Sequence, residues 1–467
     1  MAGGGRESRR ARREDRRTMV GFRRPGVQIV STFLLLIAAG AVLLDRYGFA
    51  GHPGGLAAAF MATSAVCVTG LSVVDVGTGL TFRGQVILLL LIQAGGLGLL
   101  TISNFILLSV RGRMGAAGAA GTRDVFGALY ATPPAKVLCG VILFTAAAEG
   151  AGAACLAARF AADYPARKAL WLGVFHSISA FCNAGFSPFP DSLSRYQADP
   201  VVNAVVMALV VAGGMGFVVA VDLVEQARAR LAGRRRRLSF HSRFVLRLTA
   251  GLVACGAALF LAFEWDNPAF HQSWGIKCLE AAFLSVMART AGFNTVPTGQ
   301  LTNMSLLVLM VLMFVGASPG STGGGVKTTT LGVVGALVRA RLRNRPRPEA
   351  LGRSIPFEVV SKALGVVVLY AAVVLLAMTV LQATEFGEVP HVASRGLFLE
   401  HLFEVMSAVG TVGLSTGVTG QLSEAGRVVL MACMFTGRIG PLVLVSSLVG
   451  ERPRLFYTYP EEDLMVG

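Results

Sequence analysis

Charge is scarce in this sequence. Only 15% of its 467 residues are Asp, Glu, Lys or Arg, against 54% that are hydrophobic, and no soluble domain of any size fits between the apolar runs. That overrules the roughly three soluble domains that length alone would suggest. Acidic residues are scarcer than basic ones, 26 against 42, which leaves a formal charge of +16. The surplus does not read as a nucleic-acid footprint. The arginines gather at the N-terminus, at 228–247 and at 339–353, beside apolar spans, which is the positive-inside arrangement of a membrane protein. Cysteine is sparse too: seven, an odd number, without CxxC spacing, which argues against a disulfide framework or a zinc site. Cys67 and Cys182, each three residues before a recurring glycine, read as small packed residues. The six histidines are scattered, so no clustered His/Asp/Glu or Ser/His set points to a membrane-embedded enzyme. A cleavable leader is also unexpected, because the first apolar span is too long and no small-residue cleavage site follows it.

What the chain has in abundance is apolar sequence. Mean hydropathy is +0.64. Runs long enough to cross a bilayer recur at 27–44, 137–158, 201–221, 248–263, 364–380 and 428–449. These features predict an all-α polytopic membrane protein. Shorter apolar runs at 56–67, 169–181, 276–288 and 397–409 cannot span, and each leads into a glycine. Aligned on that glycine, the chain reads Val68-Thr69-Gly70, Asn183-Ala184-Gly185, Thr290-Ala291-Gly292 and Thr411-Val412-Gly413, each followed by Leu or Phe. The four glycines lie 107 to 121 residues apart, the spacing of a large unit used four times.

The unit is span, re-entrant half-helix, glycine loop, span: an M1–P–M2 repeat. The expected division is a basic arm at 1–24, repeats at 25–113, 114–237, 238–345 and 346–450, and a tail at 451–467. The basic loops follow the second span of each unit, so all four repeats share one orientation and both termini are cytoplasmic. A half-helix ending inside the membrane turns its negative dipole end and unpaired carbonyls toward whatever lies beyond. Four such ends on one axis, followed by extended backbone, would replace a cation's water shell with carbonyl oxygens. The expectation is a K⁺-channel-like central pore with the twelve residues above as its filter. An ordinary loop would explain any one of the four glycines, but not four with matched flanks.

The second span of repeat three is interrupted by Gly316-Ala317-Ser318-Pro319-Gly320-Ser321-Thr322-Gly323-Gly324-Gly325, then Val326 and Lys327. No continuous helix survives that composition. A phosphate-binding GxxxxGK[ST] loop is excluded because Val326 separates Gly325 from Lys327 and no strand precedes it. The preferred reading is an intramembrane loop that blocks the path and swings aside, with Lys327 adding positive charge; the plainer alternative is a helix break fitted around a neighbour. Arg438, inside the last span, would bond loop carbonyls or guard the pore electrostatically. Of the other charges, Glu280, Glu400 and Glu404 would draw cations to the mouth or cap a half-helix, capping being the preferred reading, while Asp75 and Asp191 read as outer-vestibule residues and Arg289 as a brace behind the filter.

The glycine loops, the GASPGSTGGGVKTTT and FTGRIGPL stretches and the closing Tyr459-Pro460-Glu461-Glu462 together resemble the Trk/Ktr/HKT superfamily of potassium transporters. A single span before the first glycine loop makes the chain more similar to the KtrB branch than to TrkH. The resemblance implies a K⁺-translocating subunit, possible Na⁺ passage, no organic cofactor and location in the plasma (inner) membrane. It also implies a homodimer held partly by 455–467 and a cytoplasmic ring of nucleotide-binding RCK subunits that controls the gate. Filter, gate and pore-arginine roles would fall on the four glycines, on 316–327 and on Arg438. Against it stand a secondary transporter, which calls for inverted repeats, and a structural or receptor-like membrane protein, which leaves the glycine loops unexplained.

Overall fold

In the computed structural model, residues 25–51, 54–111, 134–271, 273–387, 389–390 and 392–449 are described. The basic arm at 1–24 and the tail at 451–467 lie outside them. Among the described residues the chain is built almost wholly of helices, as the apolar runs dictate. Repeat one holds α1 (Pro25–Tyr47), α2 (Gly55–Val66) and α3 (Phe82–Arg111). Repeat two holds α4 (Pro134–Phe160), α5 (Ala166–Phe181), α6 (Pro200–Gly214) and α7 (Phe217–Leu231). Repeat three holds α8 (Phe240–Phe263), α9 (Trp274–Met287), α10 (Asn303–Phe314) and α11 (Thr328–Leu342). A two-residue hairpin, β1 (Glu349–Ala350) with β2 (Arg353–Ser354), leads to repeat four. That repeat holds α12 (Phe357–Phe386), α13 (Leu397–Gly410), α14 (Glu424–Ile439) and α15 (Pro441–Val449).

Among the described residues, four helices are long and apolar enough to cross a bilayer: Gly26–Tyr47, Leu138–Phe160, Phe240–Phe263 and Phe357–Phe386. They are the first spans of the four repeats. Their outer faces leave Leu34, Leu35, Leu143, Leu375 and Leu376 exposed, as a lipid-facing surface requires. The half-helices are the reverse, buried over most of their length.

The second spans depart from the sequence expectation. The run at 201–221 was expected to be one span, but the chain turns by 107° between α6 and α7. The run at 428–449 is likewise split at Gly440, where φ is 91°. The run at 201–221 is apolar through its bend, so hydropathy reads straight through a turn that contact with residues 319–320 imposes, whereas the second break has a local cause in Gly440-Pro441.

Packing joins the repeats in a circle. Phe60, Cys67 and Leu71 of repeat one pack with Tyr370, Leu381 and Leu430 of repeat four. Phe403, Val412 and Leu414 of repeat four pack with Phe260, Leu309 and Met313 of repeat three. Phe283, Met287 and Phe293 of repeat three pack with Phe160, Val206 and Leu209 of repeat two. Phe175, Cys182 and Phe186 of repeat two return to Ala62, Val66 and Leu88 of repeat one. Each half-helix therefore contributes to its neighbour's core, where close side-chain packing holds the four short helices together.

Candidate functional site

The half-helices α2, α5, α9 and α13 all terminate at one ring. Just beyond each helix, Val68, Asn183, Thr290 and Thr411 take left-handed backbone angles, with φ of 54°, 59°, 68° and 50°. Two residues later Gly70, Gly185, Gly292 and Gly413 do so again, with φ of 97°, 70°, 74° and 92°. Left-handed angles cost a non-glycine residue of order 1–3 kcal/mol, so the same strain at four equivalent places marks an over-determined backbone. The ring is closed by contact. A Cβ built on Gly70 would lie 3.3 Å from the Gly185 Cα, one on Gly185 2.9 Å from Gly292, one on Gly292 3.2 Å from Gly413, and one on Gly413 2.9 Å from Gly70. Only glycine lets four backbones approach this closely.

The amide N–H groups of the ring face back toward the half-helices. Thr69 N donates to the Ser64 carbonyl at 2.8 Å and Gly70 N to the Ser64 hydroxyl at 3.1 Å. Ser407 serves Val412 N and Gly413 N at 2.8 and 3.0 Å. The Ser179 carbonyl takes Ala184 N at 2.7 Å, and the Met287 carbonyl takes Ala291 N and Gly292 N at 3.1 and 3.3 Å. The carbonyls are left over. Those of Thr69, Ala184, Ala291 and Val412 belong to fully buried residues, and each lies against the neighbouring repeat's glycine. No hydrogen bond among the described residues ends on them. Buried backbone carbonyls are rarely orphaned, so four of them on one ring beside four helix C-termini mark the candidate site. The serines at 64, 179 and 407 escaped the sequence reading, although they stand six residues before their glycines.

The interrupted segment sits directly against this ring. Cβ atoms built on Gly323 and Gly324 would collide with the Thr290 and Thr411 hydroxyls, and Gly324 N donates to the Thr411 hydroxyl at 3.1 Å. The segment closes on itself through Gly316 N to the Val326 carbonyl at 2.8 Å and a Ser318–Thr328 hydroxyl pair at 3.0 Å. Ser318, Ser321 and Thr322 are buried, and Lys327 Nζ donates to the Gly323 carbonyl at 2.7 Å. Repeat two grips the segment's flank: Ser318 N and Thr322 N donate to the Gly214 and Gly213 carbonyls at 3.1 and 3.3 Å, and Phe217 N donates to the Gly320 carbonyl at 3.0 Å. A Cβ on Gly216 would overlap the Pro319 carbonyl. The bend in repeat two and the break in repeat three are therefore two sides of one contact.

Arg438 is buried in α14 and reaches across the ring's underside. It donates to the Thr322 carbonyl and, at 2.6 Å, to the Gly95 carbonyl of α3. Tyr370 Oη holds the adjacent Gly437 carbonyl at 3.1 Å. One side chain thus ties the segment to repeats one and four. The remaining charges take simpler parts. Glu404 accepts from Ser415, Thr416 N and Thr419 at 2.6, 3.2 and 2.6 Å, bracing the loop after the fourth glycine and not capping its helix. Glu280 accepts from His271 N at 3.1 Å, while Glu400 sits in the first turn of α13, where a carboxylate suits the dipole. Asp75 accepts from Thr78 at 2.7 Å and Asp191 pairs with Arg195 at 2.8 Å. Arg289, expected to brace the ring, makes no hydrogen bond to it.

A second glycine series, unread in the sequence, sets how closely the second spans approach. Cβ atoms on Gly95, Gly213 and Gly437 would overlap the carbonyls of Val66, Phe181 and Val409, each four residues before a ring glycine. Gly316 holds the corresponding place in repeat three and meets Gly324. Gly213→Ala is expected to destabilise the protein by about 1–3 kcal/mol through overpacking, seen as a lower unfolding temperature of the solubilised protein; an unchanged temperature would contradict this contact.

Known proteins share this architecture. The TrkH family model, described as a cation transport protein, matches residues 6–454. The Ktr system potassium uptake protein B of Vibrio alginolyticus is 35% identical over 94% of each chain. The potassium/sodium uptake protein NtpJ of Enterococcus hirae is 32% identical over 94% of this chain and 97% of its own. In fold, the crystal structure of the potassium transporter TrkH from Vibrio parahaemolyticus superposes with a TM-score of 0.69 at 20% identity, covering 90% of this chain and 83% of that one. With a family model spanning nearly the whole chain and relatives above 30% identity end to end, the protein belongs to the TrkH family of cation transport proteins and is a membrane transporter, not an enzyme.

Proposed function

We propose that this chain is the K⁺-translocating subunit of a Ktr-type uptake system, passing ions singly through the glycine ring. The observation that carries this reading is the set of buried, unpartnered carbonyls at Thr69, Ala184, Ala291 and Val412, set where four half-helix C-termini meet. An ion losing part of its hydration shell finds oxygens already fixed in place, with their N–H groups engaged from behind. One glycine per repeat gives a shorter row of carbonyls than a TVGYG filter, so Na⁺ passes as a second, poorer ion. The names of the relatives, potassium uptake in one and potassium/sodium uptake in the other, agree with this.

Residues 316–327 act as the gate. Their seat against Thr290 and Thr411 supports the reading. Arg438 holds the gate shut and, with Lys327, opposes cation passage while it is seated. The chain works in the plasma (inner) membrane as a homodimer with both termini cytoplasmic. A cytoplasmic ring of nucleotide-binding RCK subunits moves the gate, as the multi-component Ktr name of the relatives suggests. Expression in a cell lacking its own K⁺ uptake should restore growth at low external K⁺. Growth that stays dependent on high K⁺, with the protein present in the membrane, would contradict the proposal.

A further inference from the structure

Arg289 stands at the end of α9, one residue before the left-handed Thr290, and is only 8% exposed. Its Nε has no hydrogen-bond partner, and the residue enters no ion pair among the described residues. A buried guanidinium without a partner is costly at membrane depth. It borders a cavity of about 20 Å³ whose wall also includes Asn183, Gly214, Thr249 and Ala317. The Thr249 hydroxyl is unpartnered as well. The cavity thus holds an unpartnered guanidinium nitrogen and an unpartnered hydroxyl, while two neighbouring carbonyls are engaged: Gly214 accepts from Ser318 N at 3.1 Å and Ala317 from Thr328 N at 3.2 Å.

The contrast with Arg438 is instructive. Arg438 spends its donors on the seated loop, whereas Arg289, on the loop's other flank, spends none. If the loop withdraws, Ser318 N leaves and the Gly214 carbonyl becomes an orphan beside an unused guanidinium. A side chain shifts a two-state equilibrium only by interacting differently with the two states, and Arg289 has its unmet donors in the seated state. We infer that Arg289 is a positioning residue of the gate, unpaired while the loop is seated and bonded to the Gly214 carbonyl when the loop moves away. The inference rests on the reading of 316–327 as a gate.

The test is ⁸⁶Rb⁺ uptake by the full chain in proteoliposomes, with Arg289→Gln and Arg289→Lys, each made with and without deletion of 318–324. In the intact chain Arg289→Gln should lower maximal uptake about tenfold, the worth of one hydrogen bond to a charged group, with apparent ion affinity unchanged. Arg289→Lys should recover part of the loss. In the deletion background the same substitution should change uptake by less than about twofold, because no seated-to-withdrawn equilibrium remains for Arg289 to bias. Equal losses in both backgrounds would overturn the inference and make Arg289 a packing residue; undiminished uptake in the intact chain would overturn it too. A fall in uptake from the deletion alone, with Arg289 present, would instead remove the gate itself, and the two failures are told apart by that arm.

Discussion

Gly413→Ser is expected to reduce K⁺ uptake at least about tenfold while leaving the protein folded and in the membrane. At φ 92° the new side chain carries a backbone cost of order 1–3 kcal/mol, and its Cβ would meet the Thr69 carbonyl and lie 2.9 Å from the Gly70 Cα. Both strains are relieved by moving one strand of the ring outward. A ring short of one oxygen loses a share of the energy that replaces hydration, and about 1.4 kcal/mol in the barrier is already tenfold in rate. Gly292→Ser, with φ 74° and the Val412 carbonyl in its way, should behave alike. Radioactive Rb⁺ uptake, normalised to membrane protein, measures the effect. Undiminished uptake in either variant would remove the glycine ring from the ion path.

The second large effect runs the other way. Deleting 318–324, or replacing Arg438 by Gln, should raise flux through the chain in the absence of any partner subunit. Arg438 makes two charge-assisted bonds, to Thr322 and Gly95, that hold the loop against the ring. Each such bond is worth about 1.5–3 kcal/mol net, so losing one shifts a seated-to-withdrawn equilibrium at least about tenfold. The Gln variant also removes a buried positive charge from beside the ion path, which acts in the same direction. A fall in flux with normal expression would mean that the segment positions the pore and does not close it.

How far the sequence foretold this arrangement depends on what each feature rests upon. The half-helices were legible because their cause is local: an apolar run of about a dozen residues, too short to span, ending in glycine. The break at 316–327 was legible for the same reason, since glycine and proline interrupt a helix whatever surrounds them. The 107° bend after Gly214 was not, because Val201–Val221 carries no local helix breaker beyond its glycines and the bend answers to a loop a hundred residues away. The split at Gly440 was legible in principle from Gly440-Pro441, but the apolar run was read through it. The part played by Glu404 needed partners that the fold brings near, whereas Asp75 and Asp191 bond Thr78 and Arg195, only three and four residues on. The recurring Gly95, Gly213, Gly316 and Gly437 were visible in principle, at nearly constant distance from the ring glycines, but only a structure shows that each accommodates a half-helix carbonyl or the loop itself. Arg289 was noticed from its place beside Thr290; that it bonds nothing could not be read from a string of letters.

The measurement closest to the heart of the account is anomalous diffraction from crystals of this protein grown in Rb⁺ in place of K⁺. A density peak on the axis between Thr69, Ala184, Ala291 and Val412, within reach of their carbonyls, is the predicted result. Rb⁺ bound elsewhere in the membrane-spanning region, with that position vacant, would contradict it.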